Sequence, residues 1–563
     1  MFRNYLKVAI RNLLKQKGLS FINILGLSVG LACFSLFMLY ALNEFTFDSF
    51  HKNSKQIFRV YEWNEAKEGE PAAGMSYNPM PLGPAMKADF SDVENYVRFK
   101  ETWGESFVKL DNKISREEIS FADPSFFSVF SFKLKEGNNS HVLKEPNNII
   151  LTESTAQKLF GKEDAVGKTI QIKIFDKFEP FVVTGISENI PSNSSIQYKI
   201  LANFKYLEIS QSQKDKLNNW HQISIQTFVE LKAGSTLPFD ENRLIAFRKK
   251  YYPDEEAKSR ADGWTGKGPR NKYRLQPIQN IHTNTRIYGG TIPPVDPKTI
   301  WILLSIATGV LLIACINFTT LSIGRSAGRS KEIGVRKVIG GTKKTLIFQF
   351  LMESFVLAAI SCFLGLLLAN LLLPYFNNLS GRELVFSLTQ FPQLTWLVLL
   401  LVLIAALLAG AYPAIILSGF KPVEVLKMKI KLAGSNFFTK SLVTIQFIVS
   451  AALIISTLVI LNQLHFMQSK NPGFNKENVL VIDASGLENT KRLYGLLKTK
   501  LNSVPGIIGT ASAELSIGEG EGWSESGFKY NGKDRLVYEF FIDHDYMNVL
   551  GMKLIAGRNF DLS

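Results

Sequence analysis

The stretch RSKEIGVRKVIGGTKK, residues 329–344, lies between two long apolar runs and decides how the whole chain is organised. The loop that contains it, 324–345, holds seven basic residues and one acidic residue, Glu332. The chain of 563 residues carries a net charge of +15, which by itself fits either a nucleic acid partner or a membrane surface. The positions of the apolar runs decide between these two.

Five runs are long enough to cross the hydrocarbon core of a bilayer, which takes about 20 apolar residues. They occupy residues 21–42, 300–323, 346–373, 395–417 and 441–463. The third contains the one charged residue among them, Glu353, which we expect to reach the interface or to pair with a neighbouring helix. The first run is too long for a signal peptide and lacks a cleavage pattern, so we interpret it as a retained anchor.

The basic residues beside these runs predict the orientation of the chain. Three segments are rich in Lys and Arg: 1–20, 324–345 and 418–440. The other short loop, 374–394, has only Arg382 and Glu383. Because cytosolic loops carry the excess of Lys and Arg, a cytosolic N-terminus places 43–299 and 464–563 outside. The positive charge then marks the cytosolic membrane face, and no nucleic acid is needed to explain it.

Residues 1–20 have the pattern of an amphipathic helix that lies on the inner leaflet. Cations recur every fourth residue, at Arg3, Lys7, Arg11 and Lys15. Apolar residues fill another face, as in interfacial helices. We expect Gly18 to end this helix before the first span.

The outside segment 43–299 predicts a large α+β domain. IFRV at 57–60 and FVVTGI at 181–186 read as strands, and ESTAQKLFG at 153–161 reads as a short helix that ends at a glycine. FGKEDAVGKT at 160–169 resembles a phosphate loop, but five residues separate its glycines where that loop has four. We therefore expect no nucleotide site here.

The two outside segments contain an internal repeat. FADPSFFSVFSFKLKEG, from Phe121, and FIDHDYMNVLGMKLIAG, from Phe541, match without gaps at six of seventeen positions. Upstream, 86–99 resembles 497–510 in pattern. We interpret this as a duplication. By symmetry three further spans would follow the second copy, so we expect this chain to be C-terminally incomplete.

No catalytic or metal-binding motif stands out. The three cysteines, Cys33, Cys315 and Cys362, lie inside apolar runs, where packing explains them. The six histidines form no tight metal-ligand spacing. We therefore expect no catalytic residue, no cofactor and no metal in this chain.

The stretch at 329–339 reads as a short helix with two faces. One face carries Val335, Val338 and Ile339, and the opposite face carries Arg329, Ile333, Arg336 and Lys337. Glu332 and Arg336 are spaced for a helical ion pair, Gly340 and Gly341 end the helix, and Thr342 caps the next span. An anchor on lipid headgroups needs the cations alone. The apolar face and the glycines favour a rigid segment that docks on a protein.

Longer stretches resemble the MacB/FtsX-like ABC transporter permeases, also called type VII or mechanotransmission permeases. RSKEIGVRKVIGGTKKTLIFQFLMES at 329–354 and GAYPAIILSGFKPVEVLK at 410–427 are similar to the two permease blocks. ILTESTAQKLFGKEDAVGKTI at 150–170 and GISENIPSNSSIQY at 185–198 resemble the MacB-type periplasmic core domain. NPGFNKENVLVI at 471–482 resembles the start of a second such domain in the duplicated Bacteroidetes-type subfamily.

The resemblance implies a multi-pass α-helical membrane protein with large α+β extracytoplasmic domains, with five spans here and eight in a complete family member. The implied parts are an interfacial helix (1–20), the spans 21–42, 300–323, 346–373, 395–417 and 441–463, a core domain (43–299), a cytosolic loop with the coupling helix (324–345), an external loop (374–394), a cytosolic linker (418–440) and a truncated second core domain (464–563).

The resemblance also implies that a separate cytosolic ABC ATPase docks on a coupling helix. Its residues are Arg329, Lys331, Glu332, Ile333, Gly334, Val335, Arg336, Lys337, Gly340 and Gly341. ATP hydrolysis in that partner would shift the external domains, for export, efflux or extraction of a substrate from the periplasmic side. Further implied partners are a second permease copy, a periplasmic adaptor, an outer-membrane channel and membrane lipids, at the bacterial inner membrane.

Other functions stay open at this point. A sensor or regulator of a periplasmic partner, as in bacitracin-sensing and FtsX-type relatives, needs no net transport. An ion-driven transporter should show intramembrane acids or broken helices, and Glu353 is the one such acid in the five runs. No motif favours a membrane enzyme. A neighbouring gene for an ATPase with a phosphate loop would separate these functions.

Overall fold

The computed structural model describes most of the chain. The described residues are 7, 11, 17–66, 71–102, 106–138, 141–174, 177–210, 214–328, 335, 337–339, 342–387, 393–419, 435–482, 484, 489–514, 524–530 and 533–561. The chain divides into two compact units, one made of most of residues 1–456 and the other of 457–563 with the short segments 105–107 and 172–178.

The helices alternate with strands outside the apolar runs. They are α1 (Lys17–Phe45), α2 (Leu82–Asp89), α3 (Phe126–Val129), α4 (Glu153–Phe160), α5 (Lys205–Ile209), α6 (Glu241–Tyr251), α7 (Glu255–Ala261), α8 (Pro297–Gly328), α9 (Lys343–Ser380), α10 (Gln393–Gly419), α11 (Ser435–Ser469), α12 (Thr490–Leu501) and α13 (Tyr546–Val549). Three short 3₁₀ turns are Lys214–Lys216, Leu237–Phe239 and Ile278–Asn280.

The strands lie mainly between α1 and α8. They are β1 (Ile57–Asn64), β2 (Ala73–Met75), β3 (Tyr77–Pro79), β4 (Val93–Glu101), β5 (Ser106–Leu110), β6 (Lys113–Glu117), β7 (Ile119–Ala122), β8 (Leu134–Glu136), β9 (Asn148–Thr152), β10 (Thr169–Lys173), β11 (Phe178–Ser187), β12 (Ile200–Asn203), β13 (Ile223–Leu231), β14 (Asn271–Pro277), β15 (Ile287–Tyr288), β16 (Ser524–Tyr530) and β17 (Lys533–Glu539).

Four helices are long and apolar enough to cross a membrane, judged on the described residues. They are Lys17–Phe45, Pro297–Ile323, Lys343–Ser380 and Thr439–Ser469. The predicted count of five spans is therefore not met. The predicted span 395–417 lies in α10, where the apolar stretch found among described residues is Trp396–Leu407.

The first span begins earlier than the sequence predicts. Helix α1 starts at Lys17 and continues through Gly18, so the prediction that Gly18 ends the preceding helix is wrong. A glycine inside a helix costs about 1 kcal/mol, which a long apolar helix tolerates. Lys7 and Arg11 are helical and exposed, and the other residues of the predicted amphipathic helix before Lys17 lie outside the described part.

Helices α1, α8, α9 and α10 pack through small residues. A Cβ atom on Gly30 would lie 2.7 Å from the Cβ of Ala314, and one on Gly365 would lie 2.9 Å from the Ser28 carbonyl oxygen. Cys315 and Cys362 belong to the same apolar cluster. The bundle is therefore closely packed, because a side chain at either glycine would overlap its neighbour.

The strands between α1 and α8 form one mixed sheet. Its central order is β15-β2-β1-β13-β4-β7-β12-β9-β11, and β14, β3 and β8 pair with β1, β13 and β11. Strand β12 runs parallel to β7, and β11 runs parallel to β9. The predicted strands at 57–60 and 181–186 are confirmed, and so is the helix at 153–161, which ends at Gly161 with φ 67°. The sheet carries apolar cores built around Phe126 and Phe247.

The two copies of the candidate repeat form the same local contacts. The Asp123 carboxylate accepts from the Arg98 backbone N–H at 2.7 Å, and the Asp543 carboxylate accepts from the Ser512 N–H at 3.1 Å. A helix of one turn follows each aspartate, α3 in the first copy and α13 in the second. In these contacts Ser512 takes the place of Arg98. The gap-free alignment of 86–99 with 497–510 pairs Arg98 with Gly509 instead, so the two matches differ by three residues.

Candidate coupling site

The predicted coupling segment is partly described and presents apolar side chains to its surroundings. Val335, Val338 and Ile339 are 48%, 64% and 79% exposed. The Ile339 N–H donates to the Val335 carbonyl at 3.1 Å, which is one helical turn. Lys337 is described too, as a half-buried helical residue. The remaining predicted site residues lie outside the described part: Arg329, Lys331, Glu332, Ile333, Gly334, Arg336, Gly340 and Gly341.

Helix α9 begins directly after this segment. The Thr342 hydroxyl accepts from the Thr345 N–H at 3.3 Å, so Thr342 caps the helix as predicted. The helix then continues for 38 residues to Ser380. At 1.5 Å per residue this is about 57 Å, longer than the hydrocarbon core of a bilayer. The helix that follows the predicted coupling segment is therefore long enough to cross a bilayer.

Glu353 lies on α9 near its N-terminal end. It is half-buried, and the Gln349 side-chain amide, one turn earlier, donates to its carboxylate at 3.1 Å. This contact lies within one helix. The predicted pairing with a neighbouring helix stays a prediction.

The outer end of α9 is fixed by a tight turn. Gly381 caps the helix with φ 62°, a left-handed conformation that glycine adopts without strain. The Asn377 side-chain amide donates to the Leu384 carbonyl at 2.9 Å, and the Leu384 N–H donates back to the Asn377 side chain at 3.1 Å. The position of Arg382 is therefore set by the end of the helix itself.

Arg382 reaches a buried carboxylate at the end of α1. Its Nε donates to Glu44 at 2.8 Å, and the Glu44 side chain is completely buried. The His282 Nε2 lies 2.5 Å from the other Glu44 oxygen and also has no exposed side-chain surface. We call these three residues the Glu44 cluster. It joins three separate parts of the first unit.

Packing and a backbone bond hold His282 in this cluster. Its ring stacks on Phe47 with 3.5 Å between ring centres. The Val295 N–H donates to the His282 carbonyl at 2.8 Å, just before α8 begins at Pro297. The C-terminal end of α1, the turn after α9 and the segment that leads into α8 therefore meet at one buried ion-pair network.

The PSNSS loop, residues 191–195, also forms hydrogen bonds with the end of α1 and the segment that follows it. The Asn193 carbonyl accepts from the Asp48 N–H at 2.8 Å, and the Asp48 carboxylate accepts from the Ser195 N–H at 2.8 Å. Asn43 donates to the Ser192 hydroxyl at 3.0 Å. This loop belongs to the motif at 185–198, so that motif ties the domain to the first span.

Two buried titratable groups lie in the segment that follows α1. Burial raises the pKa of Asp48 to about 7, against the opposing effect of the hydrogen bonds from Ser195 and Ser194. Burial lowers the pKa of His51 to about 3. Both shifts favour the neutral form, as expected for side chains removed from water.

The Glu44 cluster does not follow from the sequence patterns. In the sequence Arg382 is a loop cation, and no motif singles out Glu44 or His282. The available signal was weak: a carboxylate in the last turn of a span and the one basic residue of a short external loop. His282 lies 100 residues from Arg382 and 238 from Glu44, a separation that a single sequence does not reveal.

The glycine motif at 160–169 has the wrong order of elements for a phosphate loop. Helix α4 precedes Gly161 and strand β10 follows Gly167, whereas a phosphate loop leads from a strand into a helix. Among the described residues no group of three or more His, Cys, Asp or Glu side chains could hold a metal ion.

Comparisons with known proteins place both parts of the chain. Residues 20–244 match the MacB-like periplasmic core domain, and residues 304–422 match the FtsX-like permease C-terminal domain. The chain is 21% identical to the uncharacterized ABC transporter permease YvrN of Bacillus subtilis, over 64% of this chain and 85% of that protein.

Two further proteins share parts of the chain. The macrolide export ATP-binding/permease protein MacB of Pasteurella multocida is 21% identical over 47% of this chain, which spans about a third (36%) of that protein's length. The solved periplasmic region of MacB from Actinobacillus actinomycetemcomitans is 16% identical with a TM-score of 0.26, over 38% of this chain and 98% of that region.

Proposed function

Since the chain is a MacB/FtsX-like ABC transporter permease, we propose that it transmits the ATP-driven motion of a separate cytosolic ATPase to its periplasmic domain. The chain itself acts as a permease subunit without catalysis. Its substrate is exported or extracted from the periplasmic side. The partner ATPase docks on residues 329–341.

The exposed apolar side chains at the start of α9 carry this proposal. Val335, Val338 and Ile339 are exposed in a strongly basic loop. Exposed apolar side chains with surrounding charge are typical of a protein docking site. The cap at Thr342 joins this segment to a continuous helix, so a push on the segment would reach the far side of the membrane.

The remaining parts follow the same scheme. The N-terminus lies in the cytosol, because this orientation puts all three basic segments inside. Residues 464–563 are a second core domain produced by duplication. A second permease copy, a periplasmic adaptor and an outer-membrane channel complete the assembly at the bacterial inner membrane.

Co-purification tests the docking. The full chain is expressed with the ATPase encoded beside it, and capture of the ATPase is compared between wild type and Val335→Asp. We expect wild type to capture the ATPase and the variant to insert normally but lose it. Equal capture by both proteins would refute docking on this segment. Capture without movement of any substrate would favour the sensor or regulator function.

A further inference from the structure

The Glu44 cluster has a position that a merely stabilising ion pair does not require. Arg382 follows the end of α9 by two residues, and Gly381 and Asn377 hold that end rigidly. Helix α9 starts next to the candidate docking segment. Any shift or tilt of this helix therefore reaches the Arg382 guanidinium directly.

The other members of the cluster belong to the elements that would have to move. Glu44 lies in the last turn of α1, four residues before Asp48, which binds the PSNSS loop. His282 lies in the periplasmic domain and binds the segment that enters α8. Arg382 thus binds Glu44, where the chain leaves α1 for the domain, and lies next to His282, near the point where the chain leaves the domain for α8.

Burial makes this attachment hard to break. The Glu44 and His282 side chains are fully buried, and the Arg382 side chain is 15% exposed. Separating Arg382 would leave a carboxylate without its cation in a site that excludes water, which is strongly unfavourable. Two hydrogen bonds from Arg382 to Glu44, at 2.8 and 3.3 Å, also fix the direction of the contact.

We propose that the Glu44 cluster is the external joint through which α9 moves the periplasmic domain, with Arg382 as the positioning residue. This inference rests on the proposed function, because it takes the ATPase as the source of motion. The joint itself is a property of this chain and can be tested without the ATPase. Its loss would uncouple α9 from the domain and leave docking at the cytosolic end intact.

The experiment measures the distance between α9 and the domain by double electron–electron resonance. Spin labels are attached at Leu379→Cys on α9 and at Lys133→Cys on the domain, whose side chains are 88% and 76% exposed. The full chain in nanodiscs carries Cys33→Ala, because Cys33 is half-buried while Cys315 and Cys362 are buried. The variants are Arg382→Ala, Arg382→Lys and Glu44→Gln, and the matched control is Glu383→Gln, the exposed neighbour.

The first arm contains no ATPase. We expect one narrow distance distribution for wild type and Glu383→Gln. For Arg382→Ala and Glu44→Gln the distribution should be at least twice as wide, and Arg382→Lys should restore part of the narrowing. An Arg382→Ala distribution identical to that of wild type would overturn the proposal. Rescue by lysine separates loss of the ionic contact from general misfolding.

The second arm adds the partner ATPase with ATP and vanadate. In wild type the two labels should keep their distance, because the joint carries the domain along with α9. In Arg382→Ala the distance should change with nucleotide, because α9 then moves alone. A bound and hydrolysing ATPase that leaves the distance unchanged in Arg382→Ala would overturn the joint. If wild type captures no ATPase, the proposed function fails, and the first arm still decides whether the joint exists.

Discussion

The residues next to the two ends of helix α9 differ in exposure and in bonding. The segment before its N-terminal end exposes Val335, Val338 and Ile339. Just beyond its C-terminal end, Arg382 is bound to the fully buried Glu44. One end offers apolar surface to another molecule, and the other end is already joined to the chain's own domain.

Under the proposed function, this difference lets one helix receive motion from a partner at one end and transmit it at the other. A docking end must be able to bind and release a partner, so its contacts lie at the surface. A transmitting end must not slip, so its contacts are buried and charged. Both sets of contacts adjoin the two ends of a single helix of 38 residues.

The largest effect on partner binding should come from an acidic substitution at the docking end. Val335→Asp should reduce ATPase capture by more than about tenfold, because a desolvated carboxylate in an apolar contact costs more than 1.4 kcal/mol. The matched control makes the same kind of change at the other end. Leu379→Asp, at a side chain that is 88% exposed, should leave capture unchanged. Equal loss in both variants would remove the distinction between the two ends.

The next effect concerns the transmitting end. Arg382→Ala should lower the free energy of unfolding by about 3–5 kcal/mol, because it leaves the buried Glu44 carboxylate without its cation. Denaturant unfolding of the full chain in micelles, followed by circular dichroism, measures this change. Glu383→Gln changes an exposed side chain and should stay within about 0.5 kcal/mol of wild type. A loss below about 1 kcal/mol for Arg382→Ala would contradict a buried joint.

The contribution of Asp48, in the segment just after α1, to the free energy of unfolding should depend on pH. The raised pKa of Asp48, about 7 against an ordinary 3.8, means that the folded chain holds a proton that the unfolded chain has lost. Asp48 therefore costs stability as pH rises from about 4 to 7, by at most about 1.4 kcal/mol per pH unit. Asp48→Asn removes this cost, so its stability relative to wild type should increase across that window and level off above it.

The contribution of His51 to stability should change with pH in the opposite direction. Its lowered pKa, about 3 against 6.5, means that stability is present above pH 6.5 and is lost as pH falls toward 3. His51→Gln should therefore gain stability relative to wild type as pH falls through this range. Unfolding curves at four or five pH values check both variants. Parallel pH profiles for wild type and either variant would show that the group does not titrate differently on folding.

The smallest effect should come from the cap of α9. Thr342→Ala should lower the stability of the first helical turn by about 1 kcal/mol, because the Thr345 N–H loses its acceptor. Thr342→Ser keeps a hydroxyl and should behave like wild type. Hydrogen exchange of the peptide that contains Thr345 and Leu346 measures this. Equal exchange in all three proteins would show that the cap does not hold the docking end in place.

The sequence was sufficient where local patterns decide the structure. The apolar runs predict the long helices, the alternation at 57–60 predicts β1, and Thr342 before an apolar run predicts a cap. Gly18 was misjudged because the hydrogen bonding of a long helix outweighs the preference of one glycine. The Glu44 cluster could not be predicted, because its members come from three distant segments and a single sequence contains no signal for their contact.

The location of the two ends of α9 relative to the membrane tests the account most directly. A membrane-impermeant thiol reagent is applied to spheroplasts that express Val338→Cys or Leu379→Cys, both in a background with Cys33→Ala. We expect Leu379→Cys to react at once and Val338→Cys to react only after the membrane is permeabilised. Reaction of Val338→Cys in intact spheroplasts would place the docking segment away from any cytosolic ATPase and contradict the account.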